Sequence, residues 1–416
     1  MTSKTTSMPS DRLFNRNFSL ILGGQSLAVL GCELYSVVLV LYLKQLTGSA
    51  AVLGITETMS FLPLVLLGPL AGALVDRMSR KAVIVWSDAL RGILLLLLFV
   101  CCLDRFLDMK TIDLGIVRLH FSSFPFPVYA VVAGTLLLGV VDTAFNAALV
   151  VVTPEILRKE DIQKGNSIFQ GVEGALGMIG NALGGLFFAV FGGALAFLVR
   201  GLSHLAAAVA GLFLSIPHKP AGAGQAFSYK GFLREGQEGF RFIWANKGLR
   251  NQTIVYMLSN LLFPMVMLAL PFLIADEMKL DDAWYGYLMS VITLSSIVGY
   301  LAFGALRTTR KQNYTAVCWT FFIKALVFLL LSVATNTLSV FALFAVLFSC
   351  MAVSRLINTS LKQIVIPEEI RGRVFGTDNS INGALIPVCY AVGGIAVDLL
   401  KQNIPLLFFI VFVFYS

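Results

Sequence analysis

Residues 72–103 read GALVDRMSRKAVIVWSDALRGILLLLLFVCCL, a short basic loop followed by a long apolar run over 82–103. A helix needs about 20 mainly apolar residues to cross the hydrocarbon core of a bilayer. The same pattern recurs along the chain, and further spans are predicted near 18–43, 50–75, 127–152, 167–190, 193–216, 252–275, 284–306, 313–334, 338–362, 373–400 and 404–416. We therefore expect an all-α integral membrane protein with twelve spans.

The composition excludes most other classes of protein. Of the 416 residues, 57% are hydrophobic and only 13% are charged, whereas a soluble domain carries about 25% charged residues. The six cysteines lie in apolar stretches and form no CxxC pair, so neither disulfides nor a zinc site is indicated. No GxxxxGK[ST] phosphate-binding loop occurs, and ATP is not expected to drive the protein. No metal or cofactor is predicted.

The basic residues predict the orientation in the membrane. With a cytoplasmic N-terminus, 21 of the 31 Lys and Arg residues fall in cytoplasmic segments, as the positive-inside rule requires. Both termini are then cytoplasmic, and the net charge of +8 needs no nucleic-acid partner. The final apolar run, 404–416, is too short to cross the membrane. We expect this last helix to be short or truncated.

An internal repeat divides the chain into two halves. Pro154 precedes Asn166 by 12 positions, and Pro367 precedes Asn379 by 12 positions, each pair ahead of the fifth span of its half. Two halves repeated in the same orientation are typical of one class of transporter. The predicted organisation is a cytoplasmic tail over 1–17, a six-helix bundle over 18–216, a cytoplasmic linker over 217–250 and a second six-helix bundle over 251–416.

The loop over 72–81 resembles a motif of the major facilitator superfamily: Gly, three residues, Asp-Arg, two residues, Arg-Lys. The matching positions are Gly72, Asp76, Arg77 and Arg80, and Ser79 stands where the family usually has Gly. Residues 180–185, Gly180-Asn181-Ala182-Leu183-Gly184-Gly185, are similar to the family's antiporter motif, with Asn181 in place of its Pro. Span four, over 127–152, lacks the Arg of many proton-coupled members and instead reads GVVDTAFN at 139–146.

Scattered motifs resemble the macrolide-efflux branch of bacterial exporters. They include Gly23-Gly24-Gln25-Ser26, Phe61-Leu62-Pro63, residues 232–239 and Gly372-Arg373-Val374-Phe375. The resemblance implies two six-helix bundles related by a pseudo-two-fold axis. It also implies a monomeric secondary transporter that exports an amphiphilic small molecule across the bacterial cytoplasmic membrane by alternating access and proton antiport. Siderophore export and lysophospholipid flipping are the alternatives.

Ionisable residues inside the spans are the candidate functional groups, because a charge at mid-membrane costs at least about 2.5 kcal/mol without a partner. Glu33 is the first choice for proton exchange, since its helix has no basic residue within one turn. Asp88 and Arg91 share a helix face and are expected to neutralise each other, with a gating role as the alternative. The other candidates for coupling or for the substrate cavity are Asp142, Glu173, Arg200, His204, Lys324 and Arg355.

The charges of the two halves differ in sign. Most mid-membrane carboxylates lie in the first half, whereas Lys324 and Arg355 lie in the second. A dipolar cavity would suit an amphiphilic cation. Two partners are candidates for Asp142 and Glu173: the loop between spans two and three, or Arg355.

Three mechanical roles are predicted. Asp76 is placed to cap the N-terminus of span eleven as a conformational latch, with Arg77 and Arg80 holding the neighbouring loop, although these basic residues would equally serve topology alone. Pro264, Pro271 and Pro387 are expected to kink their helices. The stretch 227–244 is predicted to form an amphipathic helix at the membrane surface.

Two other function classes are less favoured. The chain holds three histidines, His120, His204 and His218, and no HExxH motif, so no nucleophile, base and orienting residue can be assembled into an enzyme site. A receptor without transport activity would bind ligand without flux. Transport is the preferred interpretation.

Overall fold

The computed structural model describes residues 13–109, 111–113, 118–120, 123–158, 161–215, 229–306 and 308–415. Within these residues the chain is almost entirely helical. The helices are α1 Arg16–Thr47, α2 Ala50–Arg77, α3 Arg80–Cys101, α4 Phe126–Ile156, α5 Ile162–Phe191, α6 Ala194–Leu212, α7 Tyr229–Ala245, α8 Lys247–Leu261, α9 Phe263–Phe272, α10 Ala283–Gly304, α11 Arg310–Leu331, α12 Thr337–Val365, α13 Glu368–Leu399 and α14 Ile404–Tyr415.

Eleven stretches of helix in the described chain are long and apolar enough to cross a membrane. They correspond to the first eleven predicted spans, and the all-α membrane fold is confirmed. The twelfth predicted span is α14, which has 12 residues and lies below the length of a span. Two strands outside the spans were not predicted: β1 (Thr111–Asp113) and β2 (Arg118–His120) pair antiparallel.

Span seven differs from the single helix predicted over 252–275. It consists of α8 and α9, separated at Leu262, followed by a π-helical turn over Leu273–Glu277. Pro264 lies in the first turn of α9 and Pro271 lies within it. Proline has no N–H to donate to the preceding turn, which accounts for the break before α9. Pro387 lies inside α13 without interrupting that helix.

The described residues form two compact units. Unit 1 contains residues up to 42 together with 59–215, and unit 2 contains residues 43–58 together with those from 229 onward. In unit 1, α3 packs against both α4 and α6. Buried apolar side chains fill this region, among them Phe18, Ile84, Phe145 and Leu157.

In unit 2, α12 packs against α10 and α11, while α13 packs against α7 and α9. The predicted amphipathic helix is α7: Ile243 is 2% exposed and packs near Ile366 and Val374, whereas Phe240 and Trp244 stack on each other on the exposed side. Residues 43–58, the end of α1 and the start of α2, pack within this unit. Hydropathy and motifs did not predict that placement.

Candidate functional site

A buried polar network joins three helices of unit 1 around Asp88, whose side chain is fully buried. Gln25 of α1 donates from Nε2 to Asp88 Oδ2 at 3.0 Å. Arg91 donates from Nη1 to Asp88 Oδ1 at 3.1 Å, and His204 Nδ1 of α6 lies 3.1 Å from the same oxygen. The predicted Asp88–Arg91 pair is therefore present, and it is extended by two further helices.

Arg91 also holds a second carboxylate. Its Nε lies 2.5 Å from Asp142 Oδ1 on α4, and its guanidinium lies 4.0 Å from the centre of the Phe145 ring. The sequence predicted that Asp142 pairs with the loop after span two or with Arg355. That prediction was wrong, since the partner is Arg91. The packing of α3 on α4 brings Arg91 to Asp142. The network thus places one arginine between two carboxylates.

Glu33 of α1 lies against the glycine face of α5. A Cβ atom at Gly180 would be 2.7 Å from the Glu33 Cβ, and one at Gly184 would be 2.8 Å from the Val37 Cβ. These contacts are too close for any larger residue, so the glycines of the antiporter-like motif are required for α1 to approach α5. Asn181 and Gly185 of the same motif are buried as well.

The surroundings of Glu33 differ from those of Asp88. Among the residues that the structure describes, no Lys, Arg or His nitrogen lies within 4.0 Å of the Glu33 carboxylate. Arg200 is the cation whose charge acts on it, and Glu173 of α5 lies within range of its negative charge. Arg200 itself stacks over the Tyr35 ring at 4.5 Å. His204, one turn further along α6, belongs to the Asp88 network instead.

Unit 2 contains a buried ion pair that the sequence reasoning missed. Lys362 Nζ lies 2.6 Å from Asp378 Oδ2, and Thr253 donates to Asp378 Oδ1 at 2.9 Å. Gln252 donates a hydrogen bond from Nε2 to Asn358 Oδ1 at 2.8 Å, which joins α8 to α12. The available signal was Asp378 itself, an ionisable residue inside the predicted span over 373–400.

Lys324 and Arg355 both line a cavity of about 310 Å³ inside unit 2. Lys324 is 3% exposed, and its Nζ lies 3.9 Å from the centre of the Phe321 ring. Arg355 is exposed toward the cavity, and no described carboxylate lies within ion-pair distance of it. The rest of the lining is mainly aromatic: Tyr256, Phe263, Tyr300, Phe321 and Phe348.

The repeat relates the charged residues of the two units. Asp142 lies 12 positions before Pro154, and Arg355 lies 12 positions before Pro367, so they occupy equivalent positions on α4 and α12. One position carries an acid that is bound to Arg91. The equivalent position carries a base that faces a cavity.

Asp398, at the end of α13, caps the N-terminus of α2. Its carboxylate accepts hydrogen bonds from the Ser49 hydroxyl at 2.6 Å and from the backbone N–H groups of Ala50 at 2.8 Å and Ala51 at 3.0 Å. An anion at this place satisfies N–H groups that have no partner within their own helix. Asp398 was not among the predicted residues.

Two further contacts hold residues 43–58 within unit 2. Lys44 pairs with Asp276 at 3.1 Å, and Thr58 donates to the Pro387 carbonyl at 2.8 Å. The predicted Asp76 latch, with Gly72 and Arg77, involves side chains outside those that the structure describes. Arg80 begins α3, whose first turn is capped by the Ser79 side chain.

In the described part of the chain, eleven stretches of helix that are long and apolar enough to cross a membrane define a multi-pass membrane protein. The chain belongs to the Major Facilitator Superfamily, since the family's sequence profile matches residues 21–390. The class predicted from the loop motif is thereby confirmed.

Several known proteins resemble the chain over most of its length. The macrolide efflux protein A of Streptococcus pyogenes is 25% identical, covering 93% of this chain and 90% of that protein. The putative bacilysin exporter BacE of Bacillus amyloliquefaciens is 24% identical over 83% of this chain and 79% of its own length. Among solved structures, a mutant form of the nucleoside transporter NupG superimposes with a TM-score of 0.70 at 17% identity, covering 96% and 97% of the two chains.

Proposed function

We propose that the protein exports an amphiphilic small molecule of the macrolide type across the bacterial cytoplasmic membrane, by alternating access coupled to proton antiport. The 93% coverage of this chain by a macrolide efflux protein supports the substrate class. Both termini are cytoplasmic in this proposal, because the basic residues concentrate on that side, and the protein acts as a monomer. It is a transporter and carries out no covalent chemistry.

Glu33 is the proton-exchanging group in this proposal. Asp88 and Asp142 are each bound to Arg91, and protonating either one would break an ion pair inside the membrane, where an unpaired charge is costly. Glu33 has no such pair within 4.0 Å in the described part of the chain. It can therefore gain or lose a proton without stranding a bound cation. This difference in pairing is the observation that carries the coupling proposal.

Arg200 and Glu173 set the electrostatic field around Glu33. His204 ties α6 to α3 through Asp88, and Asp142 ties α4 to α3 through Arg91. On this basis the Asp88 network keeps the helices of unit 1 in place while Glu33 titrates. Lys324 and Arg355 contribute the polar part of the substrate cavity from unit 2.

Two carboxylates serve as conformational latches at opposite ends of the spans. Asp398 caps α2 at the end where spans one and two are joined, which is the outer end in the proposed orientation. Asp76, at the cytoplasmic end, caps the N-terminus of span eleven in the other state. Alternating access then requires one cap to form as the other is released.

The test is transport of radiolabelled erythromycin in proteoliposomes with an imposed pH gradient. We expect gradient-dependent movement by the wild type, and a loss of at least about ten-fold in Glu33→Gln, because the proton-transferring group is removed. Lys311→Gln, at an exposed position of α11, is the matched control and should transport normally. Gradient-driven transport by Glu33→Gln at the wild-type rate would refute the coupling role.

Export of a siderophore or flipping of a lysophospholipid is the second candidate, favoured by the two cations in the unit 2 cavity. Loading the same proteoliposomes with labelled lysophosphatidylglycerol distinguishes this second candidate function from macrolide export. Movement of the lysolipid but not of erythromycin would assign the protein to the second candidate.

A further inference from the structure

The cavity that holds Lys324 and Arg355 adjoins a second cavity in unit 2, of about 330 Å³. The two cavities share Tyr256, Phe321 and Ser354 in their walls. Volumes of this order are typical of small-molecule sites. The two cavities are therefore neighbours, and their linings differ chemically.

The first cavity is cationic. Its described lining contains Lys324 and Arg355 and no acidic residue. The nearby carboxylate of Asp378 is already bound by Lys362 and Thr253. Two cations in a site of low dielectric constant attract an anion much more strongly than they would in water. An arginine in particular binds a carboxylate or phosphate group through two parallel hydrogen bonds.

The second cavity is mainly apolar. Its walls include Val255, Tyr314, Val317 and Leu361, with the amides of Asn251, Gln252 and Asn358 as its polar groups. Among the described residues, none that lines this cavity is charged. A hydrocarbon or ring system placed there would exchange water for apolar and aromatic contacts.

We propose that unit 2 binds an amphiphile with a single anionic group, which lies between Lys324 and Arg355, while its apolar body occupies the adjoining cavity. The anionic group is a carboxylate or a phosphate. The ligand is either a membrane lipid or an exported compound. The site is independent of proton coupling at Glu33 and does not require the exported compound to be a macrolide.

The test is binding of radiolabelled laurate and dodecyl phosphate to the purified full-length protein in maltoside detergent, with dodecanol as the neutral probe. We expect both anions to bind at least about ten-fold more tightly than dodecanol, since a hydrogen-bonded charge pair contributes that much. Arg355→Gln should raise the Kd for both anions about ten-fold and leave the Kd for dodecanol unchanged. Arg355→Lys, which keeps the charge, should restore most of the affinity.

Lys311→Gln is the control, because Lys311 is exposed on α11 and does not line either cavity. Equal affinity for laurate and dodecanol would overturn the proposal. So would an unchanged Kd for laurate in an Arg355→Gln protein that melts at the wild-type temperature. If that variant fails to fold, the comparison of laurate with dodecanol on the wild type still decides.

Native mass spectrometry identifies the source of the ligand. An anionic phospholipid that co-purifies with the wild type and is lost from Arg355→Gln indicates a membrane lipid. Competitive inhibition of transport by laurate, without a co-purifying lipid, indicates an exported compound. Either result supports the site, and failure of erythromycin transport alone leaves the binding result intact.

Discussion

The two units treat their buried charges differently. In unit 1, Arg91 is held between Asp88 and Asp142, and Gln25 and His204 complete a network across helices α1, α3, α4 and α6. In unit 2, Arg355 occupies the position equivalent to Asp142, yet it faces a cavity and has no carboxylate partner in the described chain.

In the proposed function, this difference separates charges that hold helices in place from charges that are available to a ligand. A buried charge that is fully paired fixes helix positions, and removing one partner is costly. A charge that faces a cavity contributes little to stability and remains available for a ligand. The repeat makes the comparison direct, because both residues lie 12 positions before the repeated proline.

The largest expected effect is on the stability of unit 1. Arg91→Gln removes the cation that pairs with the buried Asp88 and the partly buried Asp142, and we expect a loss of about 3–5 kcal/mol in the free energy of unfolding. Arg355→Gln, the matching change in unit 2, should lower the free energy of unfolding by less than about 1 kcal/mol. Unfolding in a mixed-micelle titration, followed by circular dichroism, measures both.

Arg91→Lys keeps the positive charge and should recover part of the loss. Equal destabilisation by Arg91→Gln and Arg355→Gln would break the comparison, since it would show that Arg355 is held by a structural partner too.

A smaller effect is expected at the cap on α2. Asp398→Ala removes the acceptor for the Ala50 and Ala51 N–H groups, and loss of a helix cap costs about 1–2 kcal/mol. Hydrogen exchange of these two amides should accelerate about ten-fold, because 1.4 kcal/mol corresponds to a factor of ten. Asn403→Ala, which removes the cap of α14, is the control and should leave exchange at α2 unchanged. Unchanged exchange in Asp398→Ala would remove the basis for the Asp398 latch.

The smallest effect compares equivalent helix caps in the two units. Ser79 caps α3 in unit 1, and Thr309 caps α11 in unit 2, where Gln312 completes a reciprocal capping box. Each change to Ala should cost about 1 kcal/mol, with the larger loss for Thr309→Ala because two hydrogen bonds are lost. Thermal unfolding of the two variants measures the difference, and a larger loss for Ser79→Ala would contradict it.

The spans and the class of protein could be predicted from the sequence, because a run of about 20 apolar residues leaves few alternatives to a membrane helix. The Asp88–Arg91 pair followed from the same argument on a single helix, since residues three apart share a face. The loop motif indicated the family, which the match over residues 21–390 confirmed.

Contacts between helices could not be read in this way. The Asp142–Arg91 pair and the Asp398 cap on α2 both depend on which helices pack side by side. Hydropathy identifies helices but does not determine which of them are neighbours. The prolines Pro264 and Pro271 predicted a kink in span seven, and the helix is broken there. The π-helical turn after α9 was not predicted. The roles assigned to Glu33, Glu173 and Arg200 remain predictions.

The most direct test of the account is the movement of protons that accompanies substrate. A pH-sensitive dye enclosed in proteoliposomes reports the proton flux when erythromycin is added. We predict a substrate-linked flux for the wild type and for Glu33→Asp, and none for Glu33→Gln, while Lys311→Gln behaves as the wild type. An undiminished flux in Glu33→Gln, or a wild type that moves erythromycin without protons, would contradict the assignment of Glu33 as the coupling carboxylate.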